Sequence, residues 1–251
     1  MRAVLTTLVT LAGAALVAGV ASCSDDNVTP PAPTELDGPS VTVGNGTAHA
    51  VVIEQDGQIR SIGVQLSDNA LTGLPATTPM TEWQLSLPAG VSAGPWDHLA
   101  LDWNPQGHPP PHVYTVPHFD FHFYMIPTSA QMAIAGGPDT TAVAAQFVPR
   151  DYQSEVESVP MMGVHWGDTL AAEFHGHPFD HTFIYGFHQG QMIFTEPMVT
   201  LAFLESGADF SGAVKQPAAF QTGGSYPTSY SVRHDATAHT ITVSLDSLVM
   251  H

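Results

Sequence analysis

Apolar and polar residues alternate with period two along several short stretches, most clearly at 118–125, HFDFHFYM. Phe119, Phe121, Phe123 and Met125 share one parity; His118, Asp120, His122 and Tyr124 share the other. Successive side chains of a β-strand point to opposite faces. With its aromatic enrichment, the pattern predicts a strand that buries one apolar face and lines up imidazoles, a carboxylate and a phenol on the other. Like-facing neighbours stand about 7 Å apart, close enough for Asp120 and His122 to hold one metal ion. His118 and His122 are about 13 Å apart on a straight strand and share an ion closely only across a bulge.

The remaining chain reads largely as strand and turn. VTVG, then 47–55, an Asp56-Gly57 turn and IRSIGVQL predict a β-hairpin. WQLSLP (83–88) and HLALDW (98–103) are further strands, and the proline-rich 104–117 is a loop leading into 118–125. Ser129 to Ala135 predicts a helical turn or two capped by Thr128 or Ser129, 139–147 a second short helix, and 148–160 irregular chain. MMGVHW (161–166) is a strand, and 181–187 and 191–195 form a hairpin around Gln189-Gly190. Residues 198–204 read as helix start or strand, 206–229 as loop, and a last hairpin turns at 235–238. No sustained helical period appears. The expected class is mainly β, a β-sandwich or barrel-like domain with one or two short helices. His118/His122 around Asp120 and His177/His181 around Asp180 echo each other weakly, which raises two β halves within 40–251.

The N-terminus adds a destination. Arg2, the apolar run Leu5 to Val20 and the small residues after it read as a signal peptide over 1–22. Val20-Ala21-Ser22-Cys23 resembles the lipobox of bacterial lipoproteins, which implies a lipid on Cys23. An ordinary signal peptide cut near Ala21 or Ser22 is the alternative; both mean export. Residues 23–39 then form a proline-rich tether. Cys23 is the one cysteine, so the chain makes no internal disulfide. Beyond the signal, Arg60, Arg150, Lys215 and Arg233 stand against 23 Asp and Glu. That balance disfavours nucleic acid and anionic surfaces as partners and favours cations, although solubility alone also explains it. The expected location is the bacterial cell envelope, lipid-anchored, facing the periplasm or the outer surface. A homo-oligomer and an unidentified small-molecule ligand stay open.

Candidate chemistry follows from the histidines. Of 14, nine lie between 108 and 188. Imidazole is the commonest ligand for transition metals, and without free thiols a site must use His, carboxylate, Met or Tyr. The candidate ligands are His118, Asp120, His122, His165 and Glu196, for a divalent Zn, Fe, Mn or Cu ion. His165 sits beside Trp166 in an apolar strand and needs a polar partner; Glu196 closes a strand before Pro197. Tyr124 and Asp120 are candidates for support or acid–base work, with His177, Asp180 and His181 as alternatives. Each of these residues also has a plain reading as a satisfied polar group. The GxSxG match at 90–94 is followed at once by Pro95 and reads as a loop, not a nucleophile elbow. HExxH, P-loop and dinucleotide motifs are absent. Catalysis stays undecided.

Four blocks, WNPQGH (103–108), PHFDFHFY (117–124), GVHW (163–166) and FIYG with EPM (183–186, 196–198), resemble a family of bacterial exported proteins of unknown function. One member of that family is controlled by an envelope-stress sigma factor. The resemblance implies a β-rich architecture and supplies no reaction. Two readings follow: a lipid-anchored domain with a His/carboxylate metal site, or a non-catalytic envelope-stress binding or interaction protein whose histidines are structural.

Overall fold

The computed structural model describes residues 32–251, with Thr78 and the side chains of Glu155 and Val156 excepted. The predicted signal peptide, Cys23 and the first part of the tether lie outside the described residues. The chain opens with β1 (Thr34–Asp37), β2 (Val41–Val43), β3 (Gly46–Gln55) and β4 (Gln58–Ser67). Asp56 and Gly57 both take positive φ, 55° and 69°, and Gln55 pairs with Gln58. This is the two-residue turn whose twist suits a hairpin. Eight strands follow: β5 (Thr81–Ser86), β6 (His98–Asn104), β7 (His118–Tyr124), β8 (Gly137–Pro138), β9 (Tyr152–Val159), β10 (Gly163–Asp168), β11 (His181–His188) and β12 (Gln191–Thr200). The chain ends with β13 (Phe210–Ala213), β14 (Ser225–Asp235) and β15 (Thr240–Met250). Two short helices, α1 (Thr128–Gln131) and α2 (Leu201–Glu205), interrupt the β pattern. Among the described residues no helix is long and apolar enough to cross a membrane.

All pairings are antiparallel, in two sheets. The first runs β1-β3-β4-β15-β14-β13, with β2 beside β3; the second runs β5-β6-β7-β12-β11-β10-β9-β8. They pack as a β-sandwich. Ala48, Ala50, Val52, Ile62, Val64, Leu66, Val243 and Leu245 of the first sheet meet Leu99, Leu101, Phe119, Phe121, Phe123 and Tyr185 of the second, all at most 1% exposed. Trp96, just before β6, stands edge-on to Phe123 of one sheet and Tyr226 of the other, joining them. Fully burying each Phe contributes roughly 1.5–3 kcal/mol.

Several expectations are corrected. The first sheet is built from both ends of the described chain and the second from its middle, so two sequential β halves do not occur. The end of the proline-rich tether is β1, laddered to β3. Residues 148–160 contain β9, paired with β10. Residues 139–147 hold only a 3-10 turn at Ala145–Phe147. Glu196 does not end a strand: β12 continues through Pro197 to Thr200. Pro197 lacks a backbone donor, and the β7–β12 ladder skips from Thr195↔Phe123 to Met198↔Asp120 across it without changing register. The GxSxG segment lies in the loop between β5 and β6.

Candidate metal centre

The parity of β7 holds. Its Phe residues enter the sandwich core, and His118, Asp120, His122 and Tyr124 occupy the outer face of the second sheet. The same alternation organises β6. Leu99, Leu101 and Trp103 face the core, which leaves His98, Ala100, Asp102 and Asn104 on the outer face, with Ala100 opposite His122, Asp102 opposite Asp120 and Asn104 opposite His118. On the other side of β7 the unbroken register sets Glu196 across from His122, and Ile184 of β11 lies opposite Glu196. Most of this outer face is covered. Ile134 and Met162 close over Tyr124 and Phe194, while Tyr114 and Phe179 close over Ile184 and Met198. All seven residues of β7 are therefore buried.

One group of three is His122, His165 and Glu196. Glu196 Oε2 lies 3.6 Å from His122 Nε2 and 3.5 Å from His165 Nε2. A tetrahedral ion with bonds of about 2.0–2.2 Å holds its ligand atoms about 3.3–3.6 Å apart, so these separations suit one. His122 Nδ1 faces Asp102 Oδ2 at 3.2 Å, the carboxylate–histidine arrangement that orients metal-binding imidazoles. Phe194 stands edge-on to both imidazoles, with ring centroids 4.8 Å from His122 and 5.3 Å from His165. Gly186 makes room for it: a Cβ there would sit 2.0 Å from the Phe194 ring. Tyr124 stacks between His98 and His122 at 5.0 and 5.5 Å, and its hydroxyl donates to the Met161 carbonyl. Tyr124 thus stands beside His122 with its hydroxyl hydrogen held by a backbone carbonyl.

The second group is His108, His118 and Asp120. His118 Nδ1 donates to the Val116 carbonyl at 2.7 Å, and His108 Nδ1 to the Pro109 carbonyl at 2.7 Å. A carbonyl only accepts, so those nitrogens carry the hydrogens. In the neutral rings both Nε2 atoms then present lone pairs. They meet Asp120 oxygens at 3.1 Å (His118 to Oδ1) and 3.4 Å (His108 to Oδ2), and Asn104 donates to Oδ2 at 2.7 Å.

The electrostatics are those of acceptors forced together. Among the described residues no Lys or Arg pairs with Asp102, Asp120 or Glu196; Arg150, Lys215 and Arg233 serve Asp151, Asp168 and Asp209. Burial raises Asp102 to about 6, against the opposing pull of His122, and burial also pushes Glu196 upward. Burial opposes the charged form of His122, but Glu196 and Asp102 outweigh it and lift His122 to about 9. His108 reaches about 9 in the same way, through Asp120. Asp120 is held well below the usual carboxylate range because His118 and His108 overcome its burial. His165 falls to about 3 through burial and the neighbouring charges of His122 and His108.

The five expected ligands thus share one buried face but divide into two groups. Asp120 and His122 sit in different groups, and β7 carries no bulge to merge His118 with His122. His181 is corrected: its odd parity turns it to the opposite face, where it packs at 3.7 Å on Phe210 and 3.0 Å from the Tyr230 hydroxyl. Asp180 and His177 are exposed, and His175 binds the Thr169 carbonyl; none of the three joins either group. Two participants escaped the sequence reading. Asp102 was accessible from the period-two pattern of HLALDWN; His108 sits in an irregular loop where no periodicity points anywhere.

Comparison with protein families finds similarity to a model described as TTHB210-like, Hypothetical protein TTHB210, over residues 55–103. That is about a fifth of the chain, from the end of β3 through most of β6, and includes Asp102 but neither group of three. No curated protein and no solved structure matches the chain.

Proposed function

We propose that the chain is an exported, lipid-anchored β-sandwich that binds a divalent metal ion through His122, His165 and Glu196. The observation that carries this reading is the buried trio itself. His122 Nε2 and Glu196 Oε2 are inaccessible, lack any hydrogen-bond partner and approach each other and His165 at metal-site separations. Burying an unpartnered carboxylate is costly, and a cation relieves that cost. Nitrogen and oxygen ligands suit Zn, Fe, Mn or Cu, and the bound ion supplies a Lewis-acid centre. Asp102 fixes the His122 ring, Phe194 and Tyr124 wall the site, and His165, with 13% of its side chain exposed, marks the side open to solvent. Export and anchoring rest on Arg2, the apolar run Leu5 to Val20 and Cys23, which fit a domain held at the cell envelope.

The competing reading is a non-catalytic envelope protein whose histidines are structural. It draws on the His108–Asp120 contact, which a proton alone can turn into an ion pair. Elemental analysis of the full chain, purified without added histidines, separates the two. The expected result is at least one equivalent of a divalent metal that survives purification. One equivalent should disappear in His165→Ala and none in a combined His175→Ala, His177→Ala variant. A metal-free protein with His165→Ala folded as before would overturn the proposal and leave the histidines structural.

A further inference from the structure

The second group does not reduce to the first. His118 Nε2 and Asp120 Oδ1 are buried, 3.1 Å apart, and without a hydrogen-bond partner. Both are acceptors once His118 Nδ1 has donated to Val116. His108 brings a third such atom from outside the sheet, its ring fixed by its own donation to Pro109 and set edge-on at 4.7 Å from His118. Three converging acceptors on two pre-oriented imidazoles and a carboxylate are the donor set of an N/O metal site with an open position. His108 keeps 32% of its side chain exposed, so the open side faces solvent.

We propose that His108, His118 and Asp120 form a second divalent-cation site, making this sheet face a two-ion centre. Asp120 and His122 are alternate residues of one strand, so the two ions lie on the order of 7 Å apart. Each has its own carboxylate, Asp120 or Glu196, and neither carboxylate bridges. The outer ion also ties the β6–β7 loop, through His108, to β7. This inference rests on the metal reading of the first site and extends it.

The test is metal stoichiometry by native mass spectrometry on the full chain loaded with Cu(II) and desalted, with His108→Ala and His165→Ala beside it. The expected result is two ions in the parent chain and one in each variant. Electron paramagnetic resonance on the parent chain, which requires no variant to fold, should show dipolar broadening at full loading and none at a tenth of that loading. One ion in the parent chain, kept in His108→Ala and lost in His165→Ala, overturns the second site and leaves the first standing. One ion with the reverse pattern overturns the first site and with it the pair. Two ions without dipolar broadening place the second ion away from this face and overturn the pair. No ion overturns both readings.

Discussion

Each sheet carries a polar cluster on its outer face, and the two are built on opposite principles. On the first sheet Asp246 of β15 accepts from Ser61 of β4 at 2.7 Å, from Ser244 at 2.9 Å and from Ser231 of β14. The Ser231 and Ser244 hydroxyl oxygens stand 3.1 Å apart, with both of their hydrogens directed at Asp246. No atom of that cluster lacks a partner. A hydroxyl donates and accepts, so one carboxylate ringed by serines closes on itself. The second sheet places three buried carboxylates among imidazoles, two of which, His108 and His118, already spend one ring nitrogen on a carbonyl, while His122 Nδ1 faces Asp102 at 3.2 Å. Acceptors then face acceptors, and closure needs a proton or a cation. The same strand geometry thus yields a self-contained network on one side of the sandwich and, on the other, one that a proton or a cation could close.

The largest expected effect calibrates both. Phe121→Ala, on the apolar side of β7, should cost about 3–5 kcal/mol, read from chemical denaturation, and the loss should be equal with and without added metal. A loss that depended on metal would mean that the two faces of β7 are not energetically separate. Next, metal at about 100 times its dissociation constant should stabilise the parent chain by about 2.7 kcal/mol per occupied site. That raises the thermal midpoint by about 5–11 °C, and a chelator should reverse it. An unchanged midpoint would erase the contrast between the clusters. The smallest effect concerns the closed network. Ser231→Ala should cost about 1 kcal/mol, with the same midpoint shift on metal addition as the parent chain. A metal-dependent loss there would show that the serine cluster, too, senses ions.

The sequence made the strands of strong alternation legible, because β7 and the β3–β4 hairpin state both faces and the turn in local residues. It misplaced what depends on distant partners. Tyr152–Val159 carries little alternation, yet it is a strand because β10 offers a ladder. Pro197 reads locally as a stop, yet the chain continues because β11 keeps pairing across it, Phe183 opposite Pro197. The candidate site was legible as a set of residues and not as a partition. Alternation placed His118, Asp120 and His122 on one face. Which atoms converge was decided by β12 and β10 on one side and by the irregular loop bearing His108 on the other. His181 was misassigned for want of the one fact, strand parity against β12, that sends it to the core.

The position of β15 carries a kinetic consequence. It is the last of the described strands and yet it sits between β4 and β14, with Ile241, Val243 and Leu245 under the core. It pairs locally with β14 through a short turn, so until that hairpin docks it is β4 that presents an unpaired edge, and the apolar face of the second sheet has an incomplete lid. Pairing segments so far apart in sequence is slow, and open edges invite pairing with other chains. The interval before β15 arrives is therefore when this molecule is most exposed to aggregation, and a chaperone that shields strand edges would act on it then.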